Sequence, residues 1–195
     1  MSPADCRLPA RFETGRLILR SYTEEDASWY YQMSLRNRDH LKRYESGNVA
    51  MSLTSEEHTR KTLGALATYW DEGTCYFAGA FDKVTDDFVA QVYVGPFNRE
   101  PVDFIVGYIA DCVHEGRGYV TEAVMATVAN IFDHLGADQV RIHCDETNER
   151  SRQVAERCGF HKESSFLEEK KGPDGGLHTC TTVVYLRLRN EQASG

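Results

Sequence analysis

No run of about eighteen apolar residues occurs anywhere in these 195 residues, so no membrane-spanning helix can be read from hydropathy. The opening stretch, MSPADCRLPARFETGR, lacks the apolar core of a secretory leader. The expectation is a cytoplasmic protein that uses no membrane. No two of the six cysteines (Cys6, Cys75, Cys112, Cys144, Cys158, Cys180) form a Cys-x-x-Cys pair. That excludes the common zinc patterns and a dense disulfide framework, and leaves reduced thiols, several of them buried as small apolar groups. The seven histidines have no metal-ligand spacing, so no metal site is expected. His143 alternates with Ile142 along an apolar stretch, and His178 sits beside a turn. Excess positive charge is also missing. The formal net charge is −8, which argues against nucleic acid as a partner because phosphate contacts need clustered Lys and Arg. The same charge would suit a cationic acceptor, although solubility alone can account for it. Internal repeats, low-complexity tracts and linkers are absent too. One domain over residues 1–195 is expected, with its core over about 12–190.

What is present is a change of period along the chain. RLILRSY (16–22) reads as a strand. Thr23, with Asp26 three residues on, reads as the cap of a helix carrying Trp29, Tyr30 and Met33. TSEE (54–57) reads as a capping box, with Thr54 as cap and Glu57 reaching back, for a helix to about Trp70. The polar stretch RNRDHLKRYESGN (36–48) joins the two. Segments 74–82, 87–95 and 102–111 are rich in Val, Phe, Tyr and Ile and predict an antiparallel meander. Val120, Val124, Val128, Ile131 and Leu135 then recur at helical spacing until Gly136. A strand (138–144), a helix (147–158) stopped by Gly159, and two last strands separated by KKGPDGG complete the chain. The strand-helix-strand-helix order in the middle predicts a parallel pair inside a mostly antiparallel mixed α/β sheet, flanked by about four helices.

The stretch HEGRGYVTEAV (114–124) sets Gly116 and Gly118 around Arg117 just before a helix. The first N–H groups of a helix lack internal partners, and the helix dipole favours an anion there. Glycines let the backbone approach a phosphate, and Arg117 adds a charge-assisted contact. The spacing is neither the Gly-Lys-Ser/Thr phosphate loop nor Gly-x-Gly-x-x-Gly, since Thr stands at 121. On these residues alone, a plain helix-packing turn is the competing reading.

The surroundings extend the pattern. VGYIADCVHEGRGYVTEAV, followed by ETNERSRQVAERCGFHKE, resembles the GNAT superfamily of acetyl-CoA-dependent N-acetyltransferases, most closely the RimJ/RimL type that acetylates protein N-termini. The opening TGRLILRSYTEEDA and the final TTVVYLRL extend the resemblance over nearly the whole chain. It implies the GNAT fold, with the parallel pair splayed at the coenzyme site. It implies that backbone groups of Gly116, Arg117, Gly118, Tyr119, Val120 and Thr121 hold the pyrophosphate of acetyl-CoA. Glu115 stands where the family usually has a cation or amide, and Val120 where it has a small residue.

The resemblance further places an oxyanion-stabilising backbone N–H around Ile109 and Ala110, and the pantetheine arm against Asn148. Ser151 matches the donor of the proton to the departing thiolate, at a position where many relatives carry Tyr. Asn and Ser at a helix start are also plain caps. The family's Glu, two residues before Gly-Tyr, is replaced here by Ile105. Asp103, on the same strand face, is therefore a candidate base. Asp39 and Glu45 in the polar stretch, a water relay, or no base at all are the alternatives. Trp29, Tyr30 and Tyr31 either line an acceptor groove or belong to the core. The expected activity is acetyl transfer to a primary amine, first of all a protein N-terminal α-amine. A small-molecule amine such as an antibiotic, polyamine or amino acid is the alternative, and a non-catalytic acyl-CoA-binding module competes with both. The resemblance also raises a homodimer.

Overall fold

The computed structural model describes residues 6–171 and 176–190. Two short strands, β1 (Arg11–Glu13) and β2 (Leu17–Arg20), precede helices α1 (Ala27–Leu41) and α2 (Glu56–Glu72). The meander follows as β3 (Tyr76–Asp82), β4 (Phe88–Arg99) and β5 (Val102–Ala110). Then come α3 (Tyr119–His134), β6 (Gln139–Asp145), α4 (Glu149–Arg157), β7 (His161–Lys171) and β8 (Leu177–Leu188). The eight strands form one sheet in the order β1-β2-β3-β4-β5-β6-β8-β7. Every neighbouring pair is antiparallel except β5 and β6, which are parallel. Right-handed crossover through a helix is the usual way to join parallel strands, and α3 makes that connection here.

Alternation along the strands sends apolar side chains to both faces. Val124, Val128 and Ile131 of α3 and Ala155 of α4 pack with Val92, Val94, Val106, Val140 and Ile142. Tyr30 and Met33 of α1 and Leu63 and Leu66 of α2 pack with Phe81, Phe88 and Ile109. Val106 and Ile109 lie three residues apart on β5 and so face opposite ways.

Three local expectations need correction. The cap of α2 is Ser55, whose hydroxyl accepts from His58 N–H at 3.1 Å, while Thr54 bonds the His58 ring instead. The cap is therefore one residue later than expected, and Glu57 does not reach back to close a box. Helix α1 continues through the first half of the polar stretch to Leu41, because Asn37 and Leu41 are buried against the core and override the polar composition. Finally, Thr23 and Asp26 do form a capping box, but over a single 3-10 turn that precedes α1. Strand β1, unread in the sequence, is held by pairing Phe12 with Leu19. The KKGPDGG turn lies partly outside the described residues. All six cysteines are free, with Cys144 and Cys158 buried.

Candidate active site

Strands β5 and β6 pair over only three positions, Asp103 with Gln139, Phe104 with Val140, and Ile105 with Arg141. Beyond Ile105 the two strands diverge. The gap that opens lies between the end of β5, the start of α3 and the start of α4. Asp111 N–H donates to Val89 C=O at 3.0 Å, toward β4. Backbone groups alternate in direction along a strand, so Ile109 N–H also faces β4, while Ala110 N–H faces the gap. Of the two expected residues, Ala110 thus directs a backbone donor into the opening, and Ile109 packs its side chain into the α1/α2 cluster.

Two contacts fix this end of the strand. Asp111 is buried and is held by the Arg36 guanidinium and by Asn37 Nδ2, at 3.1 Å for the latter. Asn37 Oδ1 in turn accepts from Cys112 N–H at 2.8 Å. Neither residue carries a motif, and both come from the stretch that reads as a linker in the sequence.

The glycine turn sits at the mouth of the gap. Gly116 (φ 74°) and Gly118 (φ 77°) both adopt left-handed backbone, which L side chains rarely adopt. Gly118 is the residue before α3, and no side chain caps that helix. The first intrahelical bond runs from Glu122 N–H to Gly118 C=O at 3.1 Å. The N–H groups of Tyr119, Val120 and Thr121 are therefore free of internal acceptors. Gly116, Arg117 and Gly118 are exposed, and no atom lies within 4 Å of where a Cβ of Gly116 would stand.

The N-terminal strands brace this turn. Thr14 Oγ1 donates to Glu122 Oε1 at 2.5 Å, and Arg16 Nε to Glu122 Oε2 at 2.6 Å. Arg16 also donates to Arg117 C=O at 3.0 Å and stacks over the Tyr119 ring at 4.7 Å. A depression of about 570 Å³ beside the turn is lined by Thr14, Gly118, Thr121, Met125 and Arg157.

The two departures in the turn find local answers. Val120 packs its side chain against the core, away from the free N–H groups. Glu115 turns toward α4, where Arg150 Nη1 contacts both carboxylate oxygens at 2.7 Å and His40 Nε2 lies at 3.2 Å. Its charge is paired and does not stand open beside an anion site.

Across the gap, Asn148 is the residue before α4, and its Oδ1 accepts from Ser151 N–H at 3.2 Å. The cap reading is thus realised for Asn148, without using its amide nitrogen. Ser151 Oγ lies 3.0 Å from the Tyr108 hydroxyl, which also donates to Ser151 C=O at 2.9 Å. Tyr108 comes from β5 and Ser151 from α4, so this hydroxyl pair ties the end of β5 to the helix across the gap. Burial pushes the Tyr108 phenol far above its ordinary range, and the Ser151 hydrogen bond only partly offsets this. It stays protonated at every physiological pH. Tyr108 escaped the sequence reading as a site residue; the Gly107-Tyr108 dipeptide was its only signal.

Asp103 lies elsewhere. It opens β5, about 20 Å along an extended strand from Ile109. Its carboxylate is fully buried and held by Arg141 and by Gln139 Nε2, at 2.8 Å for the latter. The expectation that it approaches the reacting groups is corrected: sharing a strand face does not bring a side chain near a site six residues away. Asp39 is exposed and pairs with Lys42 at 2.8 Å. Trp29 and Tyr30 belong to the core, and the Tyr31 hydroxyl bonds Thr54 C=O at 3.0 Å.

Glu45 is different. With Gly47, Asn48 and Val49 it forms one wall of a pocket of about 380 Å³, closed on the sheet side by Phe77, Gln91, Tyr93, Gly107 and Tyr108. Phe77 and Tyr93 stack at 4.8 Å between centroids. Gln91 is buried, and its Oε1 accepts from the hydroxyls of Tyr22 (2.9 Å) and Tyr30 (2.8 Å). That fixes the orientation of the amide and leaves its NH₂ as the polar group available to the pocket. Tyr108 belongs both to this pocket and to the hydroxyl pair, so the pocket and the gap share a wall. Among the described residues there is no cluster that could hold a metal ion, and no helix is long and apolar enough to cross a membrane.

A mixed sheet opened at one parallel pair, with an uncapped glycine-led helix beside the opening, is an arrangement that family comparison assigns to an acetyltransferase. The chain belongs to the GNAT acetyltransferase family: the family described as Acetyltransferase (GNAT) domain matches residues 16–161. It is similar to the ribosomal-protein-serine acetyltransferase of Escherichia coli, 29% identical over 161 residues that cover 78% of this chain and 86% of that one. Among solved structures it is similar to the ribosomal-protein-S5-alanine acetyltransferase of Vibrio fischeri (TM-score 0.80, 20% identity, 94% and 98% of the two chains). A RimL ribosomal α-N-protein acetyltransferase in complex with coenzyme A is likewise similar (TM-score 0.77, 20% identity, 93% and 97% of the two chains). At this identity the two structures speak for the shared fold.

Proposed function

We propose that this N-acetyltransferase takes its acetyl group from acetyl-CoA and delivers it to a protein N-terminal α-amine. The observation that carries the reading is the gap between β5 and β6, bounded by free helix N–H groups on one side and a hydroxyl pair on the other. The residues present fit the coenzyme. Both glycines hold left-handed backbone, Gly116 leaves open space where a Cβ would stand, and three backbone donors at Tyr119, Val120 and Thr121 suit a pyrophosphate. Arg117 is exposed beside them, and Asn148 retains its amide nitrogen for the pantetheine arm. When bound, acetyl-CoA supplies the acetyl group as a thioester.

The remaining demands fall on the chain. Ala110 N–H faces the place where negative charge develops on the carbonyl oxygen; such a donor in a dry site contributes about 3 kcal/mol. Ser151, with Tyr108 behind it, holds the proton for the departing thiolate. The amine must be neutral when it attacks. A free α-amino group, with a pKa near 8, needs far less help at neutral pH than lysine near 10.4. The pocket under Glu45 has room for a terminal residue and shares Tyr108 with the gap. The relative from Escherichia coli is named for acetylating a ribosomal protein, which supports a protein acceptor. One domain over the whole chain is part of the same reading.

Calorimetric titration with acetyl-CoA and with CoA, followed by assays on N-terminal peptides, lysine peptides, polyamines and aminoglycosides, tests the proposal. Micromolar binding and turnover selective for α-amines are expected. Turnover only on small amines would move the acceptor to a metabolite, and no binding would overturn the coenzyme assignment.

A further inference from the structure

Resting on that reading, we propose that Glu45 is the general base, accepting the proton of the acceptor amine in the pocket it walls with Phe77, Gln91, Tyr93, Gly107 and Tyr108. The placement argues for it first. Glu45 follows α1 on the loop to α2 and covers the pocket from the side opposite the sheet. Tyr108 forms part of the same pocket and bonds Ser151. A carboxylate therefore stands on the acceptor side and a hydroxyl pair on the coenzyme side, with the reacting nitrogen between them. Acyl transfer from a thioester removes protons from the amine and delivers one to the sulfur, and this placement offers a group for each.

The chemistry of the carboxylate supports the placement. Among the described residues its oxygens make no hydrogen bond or ion pair, unlike Asp26, Asp103, Asp111 and Glu122, which are all held by arginines. Burial raises its pKa from 4.5 to about 7, with Lys170 of β7 opposing from a distance. Lys170 itself pairs with Glu168 at 3.0 Å. The other titratable groups facing it are the phenols of Tyr93 on β4 and Tyr108 on β5, both raised by burial and neutral. A base poised near 7 is matched to an α-amine near 8. The same base would be badly matched to lysine.

The step balances without any added reagent. The ammonium N–H bond breaks and its proton goes to a Glu45 oxygen. The nitrogen lone pair forms the amide C–N bond as the C–S bond breaks. The acylated nitrogen then loses its second proton, which reaches the departing sulfur through Ser151 and Tyr108, and Glu45 returns the first proton to water.

The test is Glu45→Gln in the full chain, assayed with an N-terminal peptide that the unaltered protein acetylates. We expect kcat/KM to fall by about 10²-fold at pH 7, with acetyl-CoA affinity by calorimetry unchanged. The unaltered protein should show an ionisation near pH 7 in kcat/KM. In the variant that limb should vanish, leaving activity that climbs only with the amine's own ionisation near 8. Glu45→Asp should recover part of the loss. Equal kcat/KM in Glu45→Gln, or a limb near 7 that survives the substitution, would remove Glu45 from the mechanism and leave the acetyltransferase reading intact. Failure of the unaltered protein to acetylate any amine would overturn both.

Discussion

The two sides of the β5–β6 opening are built by different means. The side proposed for the coenzyme rests mainly on backbone, glycine conformations and free helix N–H groups, with the Asn148 cap and the Ser151–Tyr108 hydroxyl pair at its far edge. The side proposed for the acceptor is lined by residues of the loop after α1 and of β3, β4 and β5. Backbone sites tolerate changes in neighbouring side chains, which is why Glu115 and Val120 can depart from the family pattern while the turn keeps its geometry. Side-chain sites have no such tolerance, and each residue there sets what is bound and which proton moves.

Changing the backbone itself should therefore do the greatest damage on the coenzyme side. Gly118→Val places a β-branched residue at φ 77°, a conformation that such residues essentially never adopt. The turn must refold, and about two charge-assisted N–H bonds are lost at about 1.5–3 kcal/mol each. We expect acetyl-CoA affinity to drop by about 10³-fold in a calorimetric titration. Affinity within a few fold of the unaltered protein would show that the coenzyme does not sit on this turn.

At the closed end of the same strand a second carboxylate has the opposite meaning. Asp103 is fully buried and bound by Arg141 and Gln139 at the closed end of the parallel pair. Breaking a buried ion pair typically costs about 3–5 kcal/mol. Arg141 keeps Glu163 at 2.6 Å, so Asp103→Asn should cost about 3 kcal/mol in a denaturant melt while leaving kcat/KM unchanged. A large fall in kcat/KM with intact stability would return Asp103 to the chemistry.

The same contrast explains what a sequence reader can see. Gly116 and Gly118 stand out because left-handed backbone needs glycine, and Asn148 because caps have a short list of residue types. The strand periods of β3 to β5, the helical spacing of α3 and the parallel pair follow from patterns of two and 3.6. The acceptor pocket leaves no such trace. Glu45, Phe77, Gln91 and Tyr93 are scattered over nearly fifty positions; the sheet register gathers Phe77, Gln91 and Tyr93, and the loop after α1 brings Glu45 to them. Gln91 looks like a polar interruption in a strand until Tyr22 and Tyr30 are seen to hold it. Asp103 was misleading for the reverse reason: alternation reports the face of a strand but not the distance along it.

The smallest expected effect is also the one that separates the two kinds of carboxylate most cleanly. Asp111 is depressed: burial pushes its pKa up, but the bonds from Arg36 and Asn37 outweigh that and hold it low. Its contribution to stability is present at neutral pH and lost as pH falls through that lowered pKa. Glu45 is raised from 4.5 to about 7, so its sign is opposite. Between those values the folded protein keeps a proton that the unfolded chain has released, and stability falls as pH rises. Above 7 the full cost is reached, at most about 3 kcal/mol for a shift of this size and nearer 2 for a carboxyl that retains some contact with water. Glu45→Gln removes that ionisation. The variant should therefore match the unaltered protein in thermal stability at pH 4.5 and exceed it by about 2 kcal/mol at pH 8. A variant that is less stable at both pH values would mean that Glu45 serves the fold, in the manner of Asp111, and is not a charge kept in an unfavourable place for the sake of the reaction.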